Sequence, residues 1–140
     1  MRYMINLLVL IGIVTLSGCA STGGYRQQSG AALGPVNPQL VEALGDGLIG
    51  TITDAQLNPG ERKMALEAEY RALEYGTSGE PVKWRNSWSG RSGEVLAAQP
   101  YRVGAQDCRP YSHTLTGSGV PSIVRGTACR NPDGSWTPLI

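Results

Sequence analysis

The stretch that decides the fold is Cys108-Arg109-Pro110-Tyr111-Ser112-His113-Thr114-Leu115-Thr116-Gly117-Ser118-Gly119-Val120-Pro121-Ser122-Ile123-Val124-Arg125-Gly126-Thr127-Ala128-Cys129. Two runs carrying Tyr, Thr, Ile and Val flank Gly117-Ser118-Gly119, the composition of a β-hairpin. A turn at Ser118-Gly119 pairs residues whose numbers sum to 237, and Cys108 and Cys129 sum to 237. Counting outward from a hydrogen-bonded pair at 117:120, the pair 108:129 is non-hydrogen-bonded. Opposite Cβ atoms are closest at such pairs, so a disulfide fits, with Cα atoms about 4.4–6.8 Å apart. Pro110 and Pro121 fall at the same type of position. Their missing N–H groups spare this ladder but discourage pairing on its outer side. The register also predicts Tyr111 opposite Gly126 and His113 opposite Val124.

Working outward, residues 76–140 hold all three Trp (84, 88 and 136) in short runs broken by Gly, Pro and Asn. Antiparallel strands are expected at Pro81–Asn86, Gly93–Val103, Arg109–Thr116, Ser122–Arg130 and Ser135–Ile140. Upstream, Asn58 suits an N-cap, Pro59 the first helical position and Glu61 the capping-box partner, which predicts a helix over 58–75. Leu66, Tyr70 and Leu73 line one face with Ala65 and Ala72 beside them, and this face is expected against the Trp-bearing side of the sheet. Glu67 and Arg71 are spaced for an i,i+4 pair, and Gly76 sits where a C-cap glycine belongs. In residues 39–57, Leu40, Val41, Leu44, Leu48 and Ile49 follow helical spacing, weakened by Gly45, Gly47 and Gly50. Glu42, Asp46 and Asp54 speak against insertion into lipid, so a marginal amphipathic helix is the reading there. Residues 39–75 carry three basic and seven acidic side chains, and residues 76–140 carry seven and four. Net charges of −4 and +3 predict docking of one part on the other.

The N-terminus is an export signal: Arg2, then the apolar run Ile5–Val14, then Leu16-Ser17-Gly18 before Cys19. Leu16-Ser17-Gly18-Cys19 resembles the lipobox of bacterial lipoproteins. That resemblance implies cleavage before Cys19, acylation of its thiol and amine, and a mature chain of 122 residues. Ala20, in place of Asp, favours the outer membrane. With Cys19 used by lipid, Cys108 and Cys129 remain to pair in an oxidising compartment. Residues 19–38 read as a lipidated flexible tether, rich in Gly, Ser and Gln. The predicted organisation is therefore a signal peptide at 1–18, the tether at 19–38, a helical segment at 39–75 and an antiparallel β domain at 76–140. The fold class is α+β, with amphipathic helix or helices packed on a small disulfide-bearing sheet.

Composition narrows the function. Charged residues are 16% of 140, Phe is absent, and Gly and Pro together number 28. A formal charge of +1 argues against a nucleic-acid binder. No nucleophile elbow, P-loop or zinc-protease motif occurs, and no cofactor or metal site is implied. His113, the single His, reads as a satisfied structural residue. Arg85, Arg91, Arg102, Arg109, Arg125 and Arg130 are candidates for an anionic-ligand surface. The plainer reading, which we favour, is solvated strand faces plus pairing with the acidic helix. The three Trp suit core filling better than a stacking platform, and Asn131-Pro132-Asp133-Gly134 is a turn by composition.

Ala68–Gly76, Trp84-Arg85-Asn86, Gly90, Gly93, Cys108-Arg109-x-Tyr111 and Gly126-Thr-Ala-Cys-Arg-Asn-Pro-Asp-Gly-Ser-Trp136 resemble the 17 kDa surface-antigen family of bacterial outer-membrane lipoproteins. The glycine zipper of that family is reduced here to Gly45, Gly47 and Gly50, interrupted by Asp46. The resemblance implies an envelope surface antigen without catalysis, held in outer-membrane lipid through Cys19. The alternative is an envelope binding module with a protein partner, such as an inhibitor of a lysozyme-like hydrolase or an assembly accessory.

Overall fold

The computed structural model describes residues 34–117 and 119–139. The expected signal peptide, Cys19 and most of the tether lie outside the described residues, as do Ser118 and Ile140. The described elements are α1 (Pro38–Glu42), a 3-10 turn (Ile49–Thr51), α2 (Pro59–Glu74) and strands β1 (Pro81–Arg85), β2 (Ser92–Ala97), β3 (Tyr101–Val103), β4 (Gln106–Thr116), β5 (Ser122–Arg130) and β6 (Trp136–Leu139).

The strands form one antiparallel sheet in the order β1-β2-β4-β5-β6, with β3 also on β4. The hairpin register is the expected one: Cys108 faces Cys129, Tyr111 faces Gly126 and His113 faces Val124. The Cys108–Cys129 disulfide is formed, with Cα atoms 4.0 Å apart, closer than expected. Directly opposite residues of a non-hydrogen-bonded pair stand about 4.5 Å apart, the near end of that range. The bond closes a separation of 21 residues. In the chain-entropy model such a loop contributes roughly 3 kcal/mol. Reduction is therefore expected to lower the melting temperature markedly, measured by circular dichroism with and without reductant; an unchanged melt would show that the bond constrains nothing.

The single strand expected over Gly93–Val103 is instead two. Ala97 pairs with Tyr111 and Tyr101 with Cys108, so Ala98-Gln99-Pro100 stand opposite only Arg109-Pro110. This is a β-bulge. It falls where Pro110 has no N–H to offer its outer neighbour. Ala98 N–H still donates to the Pro110 carbonyl at 2.8 Å.

Two further prolines lie in the outermost strands. Counting from the Asn86 N–H to Arg91 carbonyl bond (2.8 Å), Pro81 opposite Leu96 is a non-hydrogen-bonded position. Counting likewise from the Asn131 N–H to Ser135 carbonyl bond (2.8 Å), so is Pro138 opposite Ala128. Each missing N–H faces out of the sheet.

Helix α2 starts with the predicted capping box: Asn58 Oδ1 accepts from Glu61 N–H at 2.9 Å, and Glu61 Oε2 accepts from Asn58 N–H at 3.0 Å. Its buried face is Ala65, Ala68, Ala72, Tyr70 and Leu73, joined by Glu61 and Glu69. The alanines let the helix lie close on the sheet, whose facing side carries Trp84, Val95, Ala97, Tyr111 and Trp136. Gly76 is required for room rather than for a left-handed cap, since a Cβ there would stand 2.5 Å from the Ala72 carbonyl oxygen. Glu67 lies 4.0 Å from Lys63, and Arg71 reaches the Gly34 carbonyl.

Residues 39–57 are not one amphipathic helix. After the single turn of α1 the chain winds through Gly45 and Gly47, both at φ +59°. Val41, Leu44, Leu48 and Ile49 are nevertheless buried in the core, so this segment's apolar face is spent inside the domain. Packing also starts earlier than the expected tether boundary at 38: Asn37 caps α1 and Val36 lies against the core. No helix among the described residues is long and apolar enough to cross a membrane.

Candidate functional site

Three glutamates of α2 organise the polar contacts between helix and sheet. At the start of the helix, Glu61 Oε1 accepts from Asn86 Nδ2 at 3.1 Å and Ser89 Oγ at 2.5 Å. Arg91 stands 3.7 Å from its other oxygen. These contacts, the Ser89 bond foremost, hold the buried Glu61 carboxyl below the usual carboxylate range despite desolvation.

In the middle, Glu69 is completely buried and accepts from a convergent set of donors: Leu48 N–H (3.0 Å), Ile49 N–H (2.9 Å), His113 Nδ1 (2.7 Å) and Tyr111 OH (3.4 Å). His113, also at 0% exposure, accepts at Nε2 from Trp84 Nε1 at 2.9 Å. The indole nitrogen can only donate, so the proton of this imidazole is on Nδ1, directed at Glu69. Two glycines make room. A Cβ on Gly47 would lie 2.4 Å from Glu69 Oε2, and a Cβ on Gly93 would lie 2.4 Å from Trp84 Nε1 and 2.9 Å from His113 Nε2. The positive φ at Gly47 turns two successive N–H groups onto one carboxylate, which a continuing helix could not do. Burial, with Glu69 nearby, pushes the Tyr111 hydroxyl pKa up.

At the end of the helix, Glu74 takes a two-pronged bond from Arg130, Nε and Nη2 each at 2.8 Å, and a third from Trp136 Nε1 at 2.8 Å. The Arg130 bonds lead in holding the Glu74 carboxyl below its ordinary range. Close by, Arg109 reaches into the core from β4 and donates to the carbonyls of Ala72 (3.2 Å), Leu73 (2.8 Å), Gly76 (3.1 Å) and Ala98 (2.9 Å). The last carbonyls of a helix have no internal partner, and its C-terminus carries partial negative charge; Arg109 answers both. Burial lowers the Arg109 pKa. Tyr70 OH donates to the Gly134 carbonyl at 3.1 Å, which fastens the β5–β6 turn to the helix, and desolvation pushes its pKa up to about 12.

The predicted site residues therefore separate. Cys108 and Cys129 are bridged, and Cys19 is outside the described residues. His113 is structural. Of the six arginines, Arg91, Arg109 and Arg130 are committed to α2 or the segment before it, and Arg102 pairs with Asp107 at 3.0 Å. Arg85 and Arg125 are exposed on strands. Arg102, Arg109 and Arg130 line one cavity, but Asp107 and Glu74 line it with them and pair with Arg102 and Arg130, so charge is answered there within the molecule. Trp84 and Trp136 fill the core as expected, whereas Trp88 is fully exposed. Among the described residues, no group of three or more His, Cys, Asp and Glu converges to hold a metal ion. The Glu69–His113 pair resembles half of a catalytic relay, but both groups are sealed from solvent and every bond that they make is structural. Sequence reasoning read Glu61 only as a capping-box partner and missed Glu69 and Glu74, although Ala65, Ala68 and Ala72 place Glu61 and Glu69 on the buried stripe by spacing alone.

Comparison with known proteins places the chain among bacterial surface antigens. The family model described as 17 kDa outer membrane surface antigen matches residues 71–137, from the last turn of α2 into β6. A 17 kDa surface antigen of Rickettsia bellii (strain RML369-C) is 34% identical over 93% of this chain and 93% of its own length. The 17 kDa surface antigen of Rickettsia japonica is 39% identical over 59% of this chain and 52% of its own. That of Rickettsia conorii is 40% identical over 54% and 48%. No solved structure matches the chain. The match to the Rickettsia bellii antigen spans nearly the whole of both chains, and the chain belongs to the 17 kDa surface-antigen family.

Proposed function

We propose that this protein is an outer-membrane lipoprotein of the bacterial envelope, anchored through acylated Cys19, with a structural or interaction role and no catalysis. The observation that carries the reading is Leu16-Ser17-Gly18-Cys19 at the end of an export signal. Several acyl chains, each CH₂ contributing about 0.8 kcal/mol, make such anchoring near-permanent. The outer-membrane description of the family and a disulfide suited to an oxidising compartment support it. A domain whose titratable cluster is buried and self-satisfied fits a scaffold better than an active site. Cys19→Ala is expected to abolish metabolic palmitate labelling and to leave uncleaved or soluble precursor. Undiminished label in that variant would overturn the anchor. The alternative role as an envelope binding module asks for a basic, exposed, concave surface, and Arg91, Arg109 and Arg130 are already spent on internal contacts.

A further inference from the structure

The sheet has a second face, which the core leaves open. Arg109, Tyr111 and His113 of β4 point toward α2, so by alternation Pro110, Ser112 and Thr114 point away. Residues directly opposite on neighbouring strands share a face. Leu96, Tyr101, Val103, Ile123 and Leu139 therefore stand on this outer side, and all are exposed, from 37% at Leu96 to 60% at Leu139. They are five of the eight large apolar side chains exposed among the described residues. Amid them, a depression of about 300 Å³ is lined by Gly79, Leu96, Ala98, Pro110, Ser112 and Arg125. Leu96, Ser112 and Arg125 stand abreast on β2, β4 and β5. The short Ser112 between two longer side chains makes the hollow. Arg125 lines it with no hydrogen bond or ion pair among the described residues.

The charge on this face selects the partner. Lys83, Arg85 and Arg125 stand on it with one carboxylate, Glu94, which Lys83 already pairs at 3.1 Å. Arg85, like Arg125, makes no hydrogen bond or ion pair among the described residues. A second copy would set these cations against their own like, so the complementary surface is apolar and acidic. The shape favours protein over lipid. An acyl chain is held best in a cavity that closes round most of it, and this depression is open. A shallow central pocket amid exposed apolar side chains, with Tyr and Arg beside it, is instead the anatomy of a protein interface, where one buried side chain anchors the contact. The extent of the face agrees. Five strands lie abreast about 4.8 Å apart, β4 eleven residues long and the others shorter, which gives a face of roughly 600 Å². Two such surfaces bury about 1,200 Å², the lower end for a specific complex.

We propose that the outer face of the sheet docks an acidic segment of a partner protein, which seats one apolar side chain in the depression between Leu96 and Pro110 and sets a carboxylate on Arg125. The inference rests on the interaction role proposed above and not on the lipid anchor. The test places the photoreactive residue p-benzoylphenylalanine at Ile123, beside Arg125 on the outer face, in the full-length protein within its own cells. The same residue at Lys63, exposed on α2, is the control. Irradiation is expected to crosslink the Ile123 position, and not the Lys63 position, to one protein. Mass spectrometry is expected to place the crosslink in a segment with a large apolar residue beside Asp or Glu. Arg125→Glu is expected to lower the yield at least about tenfold, Arg125→Lys to keep most of it, and Ser112→Phe, which fills the depression, to abolish it. Arg125 is exposed, so its variants are expected to fold, as circular dichroism checks. A crosslink to lipid, to a second copy or to a segment without acid overturns the proposal. So does no crosslink, equal crosslinking from Lys63, or a yield indifferent to Arg125→Glu. Palmitate labelling of the same cells scores Cys19 independently, so a lost anchor and a lost docking site are told apart.

Discussion

Glu69→Ala is expected to destabilise the protein on the order of 5 kcal/mol, because it strands Leu48 N–H, Ile49 N–H, His113 Nδ1 and Tyr111 OH in the core. Each unsatisfied buried donor costs about 1–3 kcal/mol, and the missing side chain adds a cavity. Total stability of a small domain is about 5–15 kcal/mol, so this variant is expected to be largely unfolded or molten. Glu69→Gln keeps the volume and one acceptor oxygen but turns an NH₂ toward donors, so it is expected to fall between the two. Urea unfolding followed by circular dichroism measures all three. Wild-type midpoints in Glu69→Ala would mean that the network beneath the sheet carries no stability.

Arg109→Leu is expected to cost several kcal/mol, because each buried carbonyl left without its donor costs about 1–3 kcal/mol. The substitution keeps apolar bulk but leaves the carbonyls of Ala72, Leu73, Gly76 and Ala98 without their donor at the end of α2. Arg109→Lys retains the charge at the helix end but cannot reproduce the planar fork, so only part of the loss is expected back. Amide exchange locates the effect. Faster exchange should begin in the last turn of α2 and at the bulge around Ala98, and uniform acceleration across the sheet would contradict a local capping role.

Much of this fold was legible where the determinants are local. The hairpin follows from cysteine parity and two prolines, and the start of α2 from Asn58, Pro59 and Glu61, because the partners in each case are a few residues away or share one register. The break at Ala98–Pro100 was half legible: the outward-facing gap at Pro110 forbade continuous pairing, yet the strand run looked unbroken. The glutamates were not legible from polarity. Glu69 looks like a surface residue until Leu48, Ile49 and His113 are brought to it from 21, 20 and 44 positions away. Gly45 and Gly47 looked like helix breakers and are better understood as the backbone freedom that lets Leu48 and Ile49 point their N–H groups inward. Trp88 was misjudged because its placement depends on a turn secured by Glu61, a contact 25–28 residues long.

The prolines of the two outermost strands bear on life in a crowd. An open sheet offers a row of free donors and acceptors at each flank, and molecules confined to a plane meet flank to flank far more often than molecules in solution. Pro81 and Pro138 each remove an outward donor from one flank, so a neighbouring copy has no unbroken template on which to add a strand. A lawn of such domains at high surface density would stay a set of separate molecules rather than seed a continuous cross-β ribbon.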